Sequence, residues 1–354
     1  FSSREAFPGE CVFIDIESVI KGNTLDAAPL LESGNGMLNT DFNCRNQMFA
    51  EGVLGLFESD LPKREILFKS FPGVERRQGI LLSKEQLVVI EDYAHHPSEI
   101  DILIKAIRSK SKGCDLTVIF QPHRYSRTKA LNQDFVKSLS SADKVFILPV
   151  YSAFEAECEG GMTEDLVSAF GSSKPGKLSF NQFGLEELLS YSTKSSKTKK
   201  EILLFIGAGS INEFAHAFCS LYEGTSKQSA WLDYTKKKVS SDCVLNLSEN
   251  LASKTTFKIG GLSEYYAEPS SISDVLALIQ SSQLFGLPYF CLGRGSNILV
   301  ADAGYRGLVI RFNHKNWQKI RKIDDSHIWV GCGARLKNLC GKAAQLGFSG
   351  FEFL

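Results

Sequence analysis

Two short polar motifs carry the side chains best suited to chemistry. Glu91 to Pro97 reads E-D-Y-A-H-H-P, and Gln121 to Thr128 reads Q-P-H-R-Y-S-R-T; three of the six histidines fall within them. Each motif follows an apolar run of strand length. Arg124 and Arg127 stand three apart, so at the start of a helix their guanidinium forks can converge on one carboxylate or phosphate. Asp92, at a strand end, could accept hydrogen bonds from a ribose. Adjacent histidines can equally cap a helix and satisfy local backbone groups. Two such motifs at equivalent strand ends favour a site, because ligands of open α/β sheets bind at the carboxyl ends of the strands.

A second group of candidates is glycine-bearing. Leu292 to Val300 reads L-G-R-G-S-N-I-L-V. Gly293 and Gly295 allow tight turns and close approach of a ligand. Consecutive backbone N–H groups, with Ser296 and Asn297, can then cradle a pyrophosphate, and Arg294 adds charge. The segment is not G-x-G-x-x-G, so a Rossmann dinucleotide turn is a poor reading. T-T-F-K-I-G-G (Thr255 to Gly261) lies upstream and V-G-C-G-A (Val330 to Ala334) downstream, which suggests one site assembled from several turns. Gly171 to Lys177 (G-S-S-K-P-G-K) superficially resembles a P-loop. It lacks the Ser or Thr that would hold magnesium, and Pro175 removes a cradling N–H, so a surface turn is expected.

The elements that must position these motifs show in the apolar rhythm. Leu87 to Ile90, Leu116 to Phe120, Val145 to Val150 and Ile202 to Ile206 read as buried strands, and Pro97 to Lys110, Ser126 to Leu139 and Thr163 to Phe170 as helices. Alternating β and α with continuous apolar strands predicts a doubly wound, mostly parallel sheet. Tyr191 to Lys200 reads as a solvated loop and Glu223 to Ser241 as a polar linker. The pattern restarts near residue 243: strands at Tyr265 to Glu268, Tyr289 to Leu292, Ile298 to Val300, Leu308 to Phe312 and Ile328 to Val330, with helices at Ile272 to Gln283 and Leu336 to Leu346. Asn43 to Leu56 has the spacing of an amphipathic helix, and Cys11 to Ile16 is strand-like.

With 354 residues the chain is long enough for two or three domains. Forty basic residues balance forty acidic ones, so no general pull towards nucleic acid or an anionic membrane is expected, and any phosphate site must be built locally. The apolar runs fall far short of the roughly 20 residues of a membrane span. Nine cysteines without a C-x-x-C pair read as reduced thiols of a cytoplasmic protein, and no metal site is expected. The chain opens on Phe1 and ends at Glu352-Phe353-Leu354, an expectation of a fragment cut at both ends.

These motifs resemble two families. E-D-Y-A-H-H-P-S-E-I, V-I-F-Q-P-H-R-Y-S-R-T and G-A-G-S-I (Gly207 to Ile211), in this order, are similar to the C-terminal domain of UDP-N-acetylmuramate–L-alanine ligases. F-N-C-R-N (Phe42 to Asn46) and F-P-G-V-E-R-R-Q (Phe71 to Gln78) resemble the end of the central domain of that family. The resemblance implies that Tyr93, His95, His123, Arg124 and Arg127 hold L-alanine and the phosphorylated intermediate, with Asp92 on the ATP ribose. Glu91 and Ser210 depart from the aspartates expected there, and the glycine-rich ATP loop with Mg2+ chemistry would belong to the longer parent. From about residue 243 onwards, A-E-P-S-S (Ala267 to Ser271), the three glycine loops and G-F-S-G-F-E-F-L (Gly347 to Leu354) resemble UDP-N-acetylmuramate dehydrogenase. That resemblance implies FAD contacts at Ile259, Gly260, Gly293, Arg294, Gly295, Ser296, Asn297, Ile298, Gly331, Gly333 and Ala334, with NADPH as reductant of the parent enzyme.

The implied architecture is α/β: a Rossmann-like doubly wound sheet of the Mur-ligase C-terminal type, then an α+β FAD-binding subdomain of PCMH-like type. The expected divisions are 1–78, a remnant of the ligase central domain; 79–222, its C-terminal domain; 223–242, a linker; and 243–354, the FAD-binding part. The implied activities are reduction of an enolpyruvyl nucleotide sugar and ATP-driven addition of L-alanine to the product. The fragment itself is expected to carry only the alanine side and the FAD side; a non-catalytic FAD- or nucleotide-binding protein is the alternative.

Overall fold

The computed structural model describes residues 76–195 and 199–351. The helix expected at Asn43 to Leu56, the strand at Cys11 to Ile16 and the motif at Phe42 to Asn46 lie outside these residues.

The first sheet is organised by strands that are apolar on both faces. β2 (Leu87–Asp92), β3 (Asp115–Phe120), β4 (Lys144–Ile147) and β6 (Glu201–Ile206) are almost wholly buried and run parallel. Burial on both faces requires helices on both sides. On one side, Ile90, Val118, Phe120, Ile147 and Leu204 meet the helices α1 (Pro97–Lys110), α3 (Asn132–Leu139) and α4 (Thr163–Ala169). On the other, Val89, Ile119, Phe146, Leu203 and Phe205 meet α5 (Gln182–Ser195) and α6 (Ile211–Glu223). The six-stranded order is β1-β2-β6-β3-β4-β5, with β1 (Gly79–Ser83) antiparallel at one edge and β5 (Gly176–Lys177) at the other. This is the expected doubly wound sheet, and it brings the ends of β2 and β3 to the two sides of β6.

Several expectations are corrected. Ser126 to Leu139 is not one helix: α2 (Tyr125–Ala130) ends at Leu131, and α3 follows it. Tyr191 to Lys200 is not all loop, since α5 continues to Ser195 with Tyr191 Oη within 3.0 Å of Thr117 Oγ1. The P-loop look-alike is a short 3-10 turn, Gly171–Ser173, leading into β5, where Gly176 lies against the Phe146 ring and Lys177 pairs with Glu164.

The second unit has four strands in the order β7-β8-β10-β9: β7 (Val244–Asn250), β8 (Leu262–Glu268), β9 (Tyr289–Leu292) and β10 (Tyr305–Arg311). β7 runs antiparallel to β8 and the others run parallel. α8 (Ile272–Leu284) crosses between β8 and β9, and a hairpin of β11 (Ile320–Lys322) and β12 (Ile328–Val330) precedes α9 (Leu336–Gln345). Ile298 to Val300 forms no strand.

The largest departure is the expected linker. Lys227–Lys236 is a helix, α7, capped by Ser226, whose Oγ accepts from the Ser229 N–H at 3.1 Å. Its polar sequence hides a stripe of Ala230, Trp231, Tyr234 and Thr235, all buried. Trp231 meets Tyr265 edge-on with centroids 5.0 Å apart, and Tyr234 meets Phe285 at 5.5 Å. One apolar cluster runs from Phe214 and Phe218 of α6 through Trp231 to Tyr265, Leu278 and Phe285.

Candidate functional site

The first site lies where β2, β3 and β4 end. Past β2, Pro97 starts α1 at a position where a missing N–H costs nothing. Glu99 one turn in accepts from the His95 and His96 N–H groups at 3.0 and 3.2 Å. His95 is thereby fixed, with Nδ1 3.0 Å from the Tyr93 carbonyl. Past β3, the Arg124 N–H donates to the Tyr151 carbonyl at 2.8 Å, which binds the second motif to the loop after β4.

Four rings then follow one another across the strand ends. Tyr93 and His95 are 5.3 Å apart, His95 and His123 5.9 Å, and His123 stacks on Tyr151 at 5.5 Å and 15°. Arg124 caps α2 with φ 71°, an uncommon conformation for a side-chain-bearing residue and a mark of local constraint. Its guanidinium is half exposed and 3.8 Å from Glu155, which also accepts from Ser126 N and Oγ. These backbone and hydroxyl donors hold the Glu155 carboxyl below its usual range.

Three buried polar atoms here have no partner among the described residues: His123 Nδ1, Arg127 Nη1 and Gln121 Oε1. Buried polar groups are nearly always paired, so such a group calls for an explanation. Burial, then the nearby Arg127, His95 and Arg124, lower the His123 pKa and favour its neutral ring. The result is a pocket wall with cationic arginines beside an uncharged imidazole.

Asp92 is placed differently from the other five candidates. Its carboxylate is buried and accepts from Gln78 N at 2.9 Å and Ala94 N at 2.7 Å. Burial is the main influence on its pKa and raises it, against these two hydrogen bonds. The carboxylate ties the entry to β1 to the turn after β2. Sequence reasoning passed over Arg76, Gln121 and Tyr151. Gln121 stood inside a quoted motif, and Tyr151 followed the third apolar strand as the histidine motifs follow the first two.

The second set of candidates also converges. The Thr256 N–H donates to the Gly295 carbonyl at 2.9 Å and the Gly261 N–H to Ala301 at 2.9 Å, so the first two glycine loops interlock. A Cβ on Gly333 would lie 2.2 Å from the Phe312 carbonyl, which places the third loop just past β10. Desolvation, then Arg335 and Arg311, lower the Arg294 pKa, and Arg311 is itself paired with Glu268 at 3.5 Å.

Comparison with known proteins finds a family match for each of the two regions. Residues 76–209 match the family described as Mur ligase, glutamate ligase domain, and residues 263–354 match the FAD binding domain family. The chain thus carries one segment similar to the Mur ligase C-terminal domain and, after it, one similar to an FAD-binding domain. Among curated relatives, the UDP-N-acetylmuramate–L-alanine ligase of Hydrogenobaculum sp. is 34% identical over 180 residues, covering 50% of this chain and 38% of that protein. The enzyme of the same name from Christiangramia forsetii is 38% identical over 145 residues, 41% of this chain and 30% of its own length. The chain thus spans only 30% to 38% of the length of these relatives. Among solved structures, the UDP-N-acetylmuramate–alanine ligase of Thermotoga maritima aligns at 25% identity and a TM-score of 0.41, over 53% of this chain and 39% of that one.

The loops of the FAD-binding domain can be tested for fit to a dinucleotide. The backbone N–H groups of Arg294, Gly295, Ser296, Asn297 and Ile298 donate to no protein acceptor among the described residues. A Cβ on Gly293 would meet nothing within 4 Å. Free N–H groups, open space and the arginine cluster together suit a diphosphate. The other glycines serve the fold itself. Gly295 has φ 69° with Lys254 O 2.3 Å from its missing Cβ, and Gly260 has φ 120° against Val300. The N–H groups of Gly331 and Gly333 are spent on the Lys319 and Trp317 carbonyls of the segment before β11, and that of Ala334 on the Gly331 carbonyl of its own turn. Ile259 is half exposed and offers an apolar contact.

Proposed function

We propose that this chain serves the synthesis of peptidoglycan precursors through two consecutive activities. In this reading the FAD-binding domain belongs to a UDP-N-acetylmuramate dehydrogenase that uses NADPH, and the Mur domain to a ligase that adds L-alanine to the product. The expected divisions near residues 78, 222 and 243 are kept as the working boundaries. Small nucleotide sugars and L-alanine are the partners, and the cytoplasm, where such nucleotides are made, is the compartment. Among the described residues no helix is long and apolar enough to cross a membrane. The observation that carries the reading is the presence of a Mur ligase C-terminal domain and an FAD-binding domain on one chain.

ATP with Mg2+, when bound, supplies the phosphoryl group that activates the sugar carboxylate. The residues of this chain then have two tasks. Arg124 and Arg127 neutralise the anionic oxygens of the activated acyl group and the alanine carboxylate. Tyr93, His95 and His123 wall the amino acid in, and a neutral His123 can accept an N–H from the attacking amine. Holding amine and acyl carbon together supplies much of the rate gain of such a bimolecular step. A ribose at Asp92 would use lone pairs left over by Gln78 and Ala94.

In the second domain, FAD when bound supplies hydride transfer. The N–H groups of Arg294 to Ile298 would hold its diphosphate, with Arg294 balancing charge. A non-catalytic flavin-binding protein predicts the same cradle but no amino-acid response. Purified full-length chain separates the two: flavin absorbance retained after gel filtration together with His95 and His123 resonances that move with L-alanine supports the proposal. A colourless protein whose histidine signals ignore L-alanine refutes it.

A further inference from the structure

We propose that Arg76 is the positioning residue of the amino-acid pocket, acting by closing a ring of contacts around it; this deepens, and rests on, the ligase reading. Arg76 Nη2 donates to two carbonyls of the loop after β6, Gly207 O at 2.7 Å and Gly209 O at 2.9 Å. The same guanidinium lies 4.8 Å from the centre of the Tyr93 ring. One side chain therefore fixes a glycine loop and an aromatic wall at once.

The path from Arg76 closes on itself. Tyr93 packs on His95, His95 on His123, and His123 stacks on Tyr151. Tyr151 in turn lies so close to Gly209 that a Cβ there would be 2.6 Å from its Cγ and 2.7 Å from Gln121 Oε1. The Gly209 carbonyl returns to Arg76. Each link joins a different segment: the entry to β1, the ends of β2, β3 and β4, and the loop after β6. The backbone supports the same view. Arg76 and Gln78 both have positive φ, 59° and 52°, held in part by the Gln78 N–H on Asp92. Strained residues persist where their surroundings over-determine them.

A planar guanidinium suits this task better than an ammonium, because it can stack and donate in fixed directions together. Removing it frees the Gly207–Gly209 loop and leaves Tyr93 with Arg77 alone over its ring, at 5.5 Å. The disturbance then reaches His123 from both directions around the ring. A smaller change is expected from Arg76→Lys, which keeps charge and donors but loses the stacking face.

The test is histidine NMR of the full chain, with L-alanine as the titrated probe. In Arg76→Gln the His95 and His123 ring signals should shift while those of His314 and His327, far along the chain in the second domain, stay in place. L-alanine affinity should fall about tenfold, as expected for loss of about 1.4 kcal/mol, and Arg76→Lys should restore most of it. Gly209→Ala enters the ring from the other side and should move the same two signals. The double variant should then show less than the summed effect, the signature of residues acting through one network. Unmoved His95 and His123 signals in both single variants overturn the proposal, as does strict additivity. If wild-type protein ignores L-alanine, the ligase reading fails while the histidine shifts still decide whether the ring exists.

Discussion

At the residue scale, the two kinds of glycine in the FAD-binding domain make opposite predictions. Gly295→Ala places a methyl group against the Lys254 carbonyl at a backbone angle that disfavours it, and should abolish flavin uptake or destabilise the domain by about 2 kcal/mol or more. Gly293→Ala points into open space at ordinary φ and should leave stability within about 0.5 kcal/mol. Any effect of that second change should appear only as weaker flavin binding. Flavin absorbance and urea titration of both variants check this. Arg127 offers a further test at this scale. Its buried Nη1 is unpaired among the described residues, so Arg127→Ala should cost little stability yet remove the response to L-alanine; an unchanged titration would remove Arg127 from the pocket. The sequence made these positions visible to different degrees. Histidine and arginine types at strand ends marked out the candidate site directly. Arg76 could not be singled out, because its partners are backbone carbonyls roughly 130 positions away, and no side-chain spacing records such a contact.

At the scale of elements, continuous apolar runs made β2, β3 and β6 plain, since strands buried on both faces need apolar residues at every position. β7 escaped notice because it is an edge strand and mostly half-exposed or exposed. α7 escaped because four buried residues sit among lysines and serines. Trp231→Ala should cost about 3 to 5 kcal/mol, the usual loss for a fully buried large aromatic, read as a fall in the denaturation midpoint. Asp274 at the head of α8 gathers Ser240 N and Ser240 Oγ, from just after α7, with Ser270 N and Ser270 Oγ, all within 3.0 Å. Burial pushes this carboxyl up, but the donors from Ser240 and Ser270 outweigh it and hold it at about 2, below the ordinary 3.8. A depressed folded-state pKa stabilises above the unfolded value and is lost as pH falls towards the folded one. Asp274→Asn should therefore cost about 2 kcal/mol at pH 7, with the gap from wild type closing between about pH 4 and pH 2.

At the scale of the whole molecule, the shared cluster around Trp231 predicts joint behaviour of the two domains. A ligand that binds only the folded state raises stability by mass action, by about 2.7 kcal/mol at a hundredfold excess over its Kd. FAD added to the full chain should therefore raise the melting temperature of the Mur domain as well as that of its own. Calorimetry should show one transition that moves as a unit. Two transitions, only one of which responds to FAD, would mean that the cluster holds the domains in contact without making them cooperative.

The buried face of α7 also bears on how the two domains can be inherited and handled. A tether can be cut, lengthened or exchanged between proteins with little consequence. Here a cut between Lys236 and Cys243 leaves Trp231 and Tyr234 bare on one product and Tyr265 and Phe285 bare on the other. Each half released in this way would have to acquire new polar surface before it could live alone. The join therefore acts as a ratchet: easy to keep once made, and hard to undo by a single break in the reading frame.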